Sequence, residues 1–288
     1  MSQIADQLRR DFKASDDIRD AGLTTPEDVV RYDDIRYGDE SPLQSLDLYR
    51  PRAAEGKTLP VIVSVHGGGW VYGDKERYQY YCMSLAQRGF AVVNFSYRLA
   101  PEWKYPAGME DTNAVFHWVI DNAAKYGLDA GHVFGVGDSA GAHMLSIYSC
   151  ICTNPDYAAR YDFAPPEGFA PAAVALNCGA YVMGNERNEL MAALLPGGGT
   201  DEEIALISPL EHMTAAFPPA FVMTANEDML KPQAPVLVAR LSELDVPFLY
   251  RYYGGRDVHL GHVFHCNMRL DAAALCNDEE CDFFRRFL

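Results

Sequence analysis

Ser139 lies in the stretch GVGDSAGAH, Gly135 to His143, where Gly137-Asp138-Ser139-Ala140-Gly141 has the form GxSxG. The apolar run HVFGV precedes it and the helical pattern AGAHMLSIYSCI follows, which puts the serine on a strand-to-helix turn. A serine used as a nucleophile must stand clear of the sheet on a strained turn, and flanking glycines let strand and helix approach closely enough to make one. The carbonyl oxygen it attacks gathers negative charge and needs preorganised donors, which backbone amides supply. HGGGW, His66 to Trp70, follows the buried-strand pattern VIVSV, and a glycine run there can turn its amides toward a ligand. Gly68 and Gly69, with the amide of Ala140, are the expected oxyanion hole. His66 reads as a structural residue that fixes the glycine loop, and Asp138 as one that orients the turn.

Such a serine also needs a base, and the base needs an orienting carboxylate, in the chain order serine, acid, histidine. The strand pattern AFVMTAN runs into Glu227 and Asp228, and FLYRYYG runs into a loop carrying His259, His262 and His265. Either carboxylate and any of the three histidines lie beyond strand ends, where residues of a parallel sheet converge on a ligand. Trp70 and Tyr72 follow the glycine loop and are candidates for the substrate pocket, with core packing as the competing role. Tyr78, Tyr80 and Tyr81 could stack on a sugar or aryl group, but their spacing also fits one helix face.

From about residue 31, short β-rich runs alternate with helical patterns, the sign of a mostly parallel sheet covered on both faces. The fold class expected is α/β with eight strands: DDIRYG and SLDLYR as an opening antiparallel pair, then LPVIVSVHG, FAVVNFSYR, HVFGVG, AAVALNCG, AFVMTAN and FLYRYYG. Met109, Phe116, Val119, Ile120 and Ala123 share a helical face, as do Leu237, Leu241 and Leu244. A last helix is expected to start at Asn277, with Glu280 three residues on and Cys281, Phe284 and Leu288 on one stripe. Two segments stand outside the alternation, residues 1–25 and 183–208, and are expected to form a small helical cap over one domain spanning 1–288. Within the second, Thr200 and Glu203 form a capping box after three glycines.

The 288 residues carry 24 Lys plus Arg against 40 Asp plus Glu, a formal charge of -16 that repels polyanions and argues against nucleic acid as a partner. No signal-peptide pattern or run of about 20 apolar residues occurs, so no membrane span and a cytoplasmic location are expected. The seven cysteines show no paired metal-ligand spacing. Cys150 and Cys152, one residue apart on a helix, face different ways. Reduced interior thiols, no metal and no cofactor are expected. The oligomeric state is open, a homodimer through an edge strand or terminal helix being one arrangement.

HGGGW, YRLAPE (Tyr97 to Glu102) with Pro106, GDSAG, EDML (Glu227 to Leu230) and GHVF (Gly261 to Phe264), in that order, resemble the hormone-sensitive-lipase-like group of α/β-hydrolase-fold carboxylesterases over about residues 31–288. The resemblance implies Ser139 as nucleophile, Asp228 as acid and His262 as base. It also implies small acyl esters as small-molecule substrates, and the short cap segment offers little apolar surface for a long chain, so acetyl or other short acyl groups on a carbohydrate or plant-derived alcohol are expected. The chain departs from the family in Ala142, where a second glycine is common, and in Asp-Met-Leu, where the acid turn usually reads Asp-Pro-Leu. Neither change removes a reacting group. An amidase or arylformamidase on the same triad is the rival enzyme reading. A non-catalytic small-molecule receptor on this fold is the rival of another class, disfavoured because serine, acid and histidine are all present.

Overall fold

In a computed structural model the chain is described for residues 2–184 and 188–288. Eight strands form one sheet in the order β1-β2-β4-β3-β5-β6-β7-β8. They are β1 (Val29–Arg36), β2 (Ser45–Pro51), β3 (Leu59–Val65), β4 (Ala91–Phe95), β5 (Leu128–Asp138), β6 (Val174–Asn177), β7 (Ala220–Ala225) and β8 (Phe248–Tyr253). β2 pairs antiparallel with β1 and with β4, and every later pairing is parallel. This is the eight-stranded α/β architecture read from the alternation of patterns.

Every residue of β4, β6 and β7 is buried, which is why these segments are almost continuously apolar. Strand alternation sends Val61, Val63 and Val65 into a core on one face of the sheet and Ile62 into a second core on the other. The first core receives Phe116 from the helix Ala107–Asp121 and Leu145 and Tyr148 from the helix Ala140–Thr153. The second receives Tyr81 and Leu85 from Lys75–Gln87 and Phe284 from Asp271–Phe284. Tyr78, Tyr80 and Tyr81 all lie on the helix Lys75–Gln87, which starts on the Asp74 cap.

The expected start of the last helix at Asn277 is wrong. The helix begins at Asp271, and Asn277 and Glu280 are buried in its interior. Asn277 donates to the carbonyl of His265 at 3.2 Å, while Glu280 accepts from Tyr81 at 2.9 Å and from Asn177 at 2.6 Å. These tertiary partners, rather than the helix's own first turn, account for the two polar side chains. Leu288 falls past the helix and is exposed, whereas Cys281 and Phe284 are fully buried.

The segments read as a cap contain helices. Gln3–Asp20 is N-capped by Ser2, and Glu189–Leu194 and Asp201–Leu206 follow β6, the last with the Thr200–Glu203 capping box formed. Glu203 also accepts from the amides of Gly197 and Gly199, so the glycine run is bound to the helix it precedes. Met1 and residues 185–187 of these segments lie outside the described residues. Among the described residues, no helix is long and apolar enough to cross a membrane.

Candidate active site

Ser139 occupies the turn between β5 and the helix Ala140–Thr153 with φ 52° and ψ -118°, a strained conformation for a residue with a side chain. Its N–H donates to Asn177 at the end of β6. The flanking glycines are required by space: a Cβ on Gly137 would stand 2.6 Å from the Gly141 carbonyl oxygen, and one on Gly141 would stand 2.0 Å from that of Val65. No side chain fits either gap, and the turn closes because none is there.

Beside it, Gly68 (φ 118°) and Gly69 (φ 61°) bend the chain after β3, and the Gly68 carbonyl closes the turn by accepting from Val71 and Tyr72. His66 is buried under this loop, stacked on Tyr97 at 4.0 Å with Nδ1 bonded to the Gly67 carbonyl. Burial pushes its pKa down to about 4, leaving it a neutral structural ring. Asp138 joins the two loops: it accepts from Tyr78, whose hydroxyl in turn accepts the Gly67 N–H. Burial lifts the Asp138 carboxyl to about 6, with the Tyr78 bond opposing the rise.

The acid and histidine turns are held in register by a bridge between Glu227 and Gly261. The Asp228 N–H closes a turn on the carbonyl of Ala225, and the side chains of Glu227 and Asp228 point apart. Asp228 turns inward and meets His262, Oδ1 to Nδ1 at 2.6 Å, while Glu227 turns outward and meets His259 at 2.7 Å. Asp228 also accepts from Thr224 (2.6 Å) and the Leu230 amide (2.9 Å). Burial acts to raise its pKa, but the bonds from His262, Thr224 and Leu230 outweigh it and hold the carboxyl below its usual range. His265, the third histidine, is fully buried, set edge-on against Tyr81, and pushed down to about 3 by burial.

Ser139, Ala140, Gly68, Gly69, Trp70, Tyr72 and His262 line one cavity of about 770 Å3. Trp70 donates to His143, which bonds the carbonyl of Ile207, so the glycine loop, the serine helix and the segment after β6 are tied together. The wall from the N-terminal helix was not legible in the motifs: Leu8, Phe12, Ser15, Asp16 and Arg19 line the cavity, as do Met183 and Met191 and, from the EDML motif, Met229 and Leu230. A helical stripe at spacings of four, three and four was the available signal for the first group.

Two sets, the buried Asp138-His265-Cys266 and the partly exposed Cys178-Asp228-His262, bring potential metal ligands within 4.8 Å of one another. Burial raises both thiols well above their ordinary pKa, which disfavours the thiolate a metal needs, and Asp228 and His262 are committed to each other. All seven cysteines are free, and Cys150 and Cys152 share the serine helix.

Residues 62–265 match the family model described as alpha/beta hydrolase fold. The chain belongs to that family. It is 29% identical to Esterase LipQ of Mycobacterium tuberculosis over 70% of this chain and 50% of LipQ. It is 28% identical to the versiconal hemiacetal acetate esterase of Dothistroma septosporum over 77% and 72%. The chain thus spans half the length of LipQ. Esterase B from Lactobacillus rhamnosis, solved as inhibited with a C4-C4 tributyrin phosphonate, superposes with a TM-score of 0.89 at 25% identity, covering 98% of this chain and 94% of that one. These three relatives are named esterases, in keeping with the resemblance carried by the five motifs.

Proposed function

We propose that the protein is a serine carboxylesterase that hydrolyses short acyl esters, acetate-like in size, through an acyl-enzyme. The observation that carries this is that His262, held by the buried Asp228, lines the same cavity as a positive-φ Ser139 and the glycine loop. With Nδ1–H of His262 donating to Asp228, Nε2 is the free position for the Ser139 proton. As Oγ bonds to the ester carbon, the proton moves to Nε2 and the carbonyl oxygen takes negative charge against the amides of Gly68, Gly69 and Ala140. Collapse breaks the carbon–alcohol oxygen bond, and Nε2 returns the proton to the departing alcohol. Water then repeats the sequence on the acyl-enzyme, its proton passing through Nε2 back to Ser139.

A short acyl group leaves most of the 770 Å3 for the alcohol, and one relative is named a versiconal hemiacetal acetate esterase. In this reading the chain is one hydrolase domain, the N-terminal helix and residues 183–208 forming its cap over the cavity. Hydrolysis of p-nitrophenyl esters from acetate to decanoate is expected to peak at the short end and to fall by at least about 10^3-fold in Ser139→Ala. Rates rising steadily toward decanoate would refute the acyl preference, and full activity in the variant would refute the nucleophile. Matched acetanilides run beside the esters are expected to be poor substrates.

A further inference from the structure

The wall supplied by the N-terminal helix changes character along its length. At one end Leu8 lies against the glycine loop, 3.8 Å from where a Cβ on Gly69 would be, and Phe12 packs edge-on to Tyr72 at 5.8 Å. Toward the other end the same face carries Ser15, Asp16 and Arg19. Asp16 accepts from the Tyr72 hydroxyl at 2.9 Å and pairs with Arg19 at 3.0 Å. Arg19 also grips Asp20 and donates to the Arg77 carbonyl. Arg269, four residues beyond His265, binds the carbonyls of Arg19 and Ala21, so this polar end is tied to the histidine side of the site.

An ester carbon has three substituents, and the chemistry assigns each a direction. The carbonyl oxygen must face the glycine loop, and the alcohol oxygen must face the group that protonates it, His262. The alcohol therefore extends toward the histidine side and the polar end of the helix. There, Asp16 keeps acceptor lone pairs beyond its two bonds, Ser15 is exposed and can donate or accept, and Arg19 is shared between Asp16 and Asp20, two carboxylates to one guanidinium. An anionic alcohol is disfavoured beside these carboxylates. A neutral hydroxyl, which donates to Asp16 while accepting from Arg19 or Ser15, satisfies both partners.

We propose that Ser15, Asp16 and Arg19 form an alcohol subsite that selects esters whose alcohol carries further hydroxyl groups, with Asp16 as the residue that determines this specificity. The inference rests on the reading of Ser139, Asp228 and His262 as an ester-hydrolysing triad. A substrate hydroxyl that bonds Asp16 together with Arg19 or Ser15 adds hydrogen bonds that an analogue lacking it cannot make.

The test compares glycerol monoacetate with propyl acetate, which share the acetyl group and a three-carbon alcohol and differ by two hydroxyls. Wild-type kcat/KM is expected to favour glycerol monoacetate at least about tenfold, and Asp16→Asn is expected to reduce that ratio about tenfold, chiefly through KM. Ser15→Ala, an exposed change that leaves the helix intact, is expected to lower the ratio about threefold. A ratio at or below one in the wild type, or one unchanged in both variants, overturns the subsite while leaving the triad standing. Hydrolysis of both esters that persists in Ser139→Ala, or no hydrolysis of either ester by the wild type, overturns the triad reading and the subsite with it.

Discussion

Two histidine–carboxylate pairs sit side by side on the same two turns, Glu227–His259 and Asp228–His262, with bond lengths of 2.7 and 2.6 Å. Their surroundings differ. The outer pair has side chains 55% and 63% exposed, whereas Asp228 is fully buried and His262 is 19% exposed. Water and salt screen the outer pair, which is worth little beyond its solvation. The inner carboxylate is further fixed by Thr224 and the Leu230 amide, which is what the proposed mechanism asks of the residue that orients His262. Bond length alone does not distinguish the two pairs; burial and the second set of hydrogen bonds do.

The largest effect that could break this contrast is at the histidines. His262→Ala is expected to lower kcat/KM for p-nitrophenyl acetate by about 10^3-fold or more, and His259→Ala by less than about threefold, in the same steady-state assay. Comparable losses would mean that the outer pair takes part. A middle-sized effect sharpens the role of the inner pair's support. Thr224→Val removes one donor from the ionised Asp228 at constant shape, so the Asp228 pKa rises and kcat/KM is expected to fall about tenfold, with KM little changed. A loss confined to KM would argue against support of the acid.

The smallest expected effect lies behind the site. Glu280 is buried without a cationic partner among its hydrogen bonds, and burial lifts its carboxyl from 4.5 to about 7, opposed by the bonds from Asn177 and Tyr81. Because the folded state binds this proton more tightly than the unfolded chain, its stabilising contribution is complete below about pH 4.5 and is lost as pH rises through 7. Glu280→Gln removes that dependence, since a rotated Asn177 can offer its unpartnered Oδ1 to the new amide. The Tm of the variant relative to wild type is therefore expected to rise by a few degrees between pH 5 and pH 8. A constant difference across that range would show that Glu280 is ionised in the folded protein throughout.

Much of the site was legible because its chemistry imposes local rules. The glycines of GxSxG and Gly67 and Gly68 of HGGG stand in gaps that no side chain can enter, Gly69 takes a positive φ, and the buried strands are nearly unbroken apolar runs. The choice between Glu227 and Asp228 was not legible from spacing, since adjacent carboxylates are equivalent until the bridge at Gly261 turns one inward. Asn277 and Glu280 looked like a helix start because a cap and a buried cross-link use the same polar residues. Only the partners, His265 and Asn177 with Tyr81, tell them apart. The polar wall at Ser15, Asp16 and Arg19 lay in a segment without family motifs, and its role depends on where the helix docks.

The most direct test is a side-by-side measurement of p-nitrophenyl acetate hydrolysis by Asp228→Asn and Glu227→Gln at one pH. A fall of about 10^3-fold or more in the first, with the second within about threefold of wild type, is the expected result. A Glu227→Gln enzyme as impaired as Asp228→Asn, or an Asp228→Asn enzyme of near wild-type activity, would contradict the assignment of the inner pair.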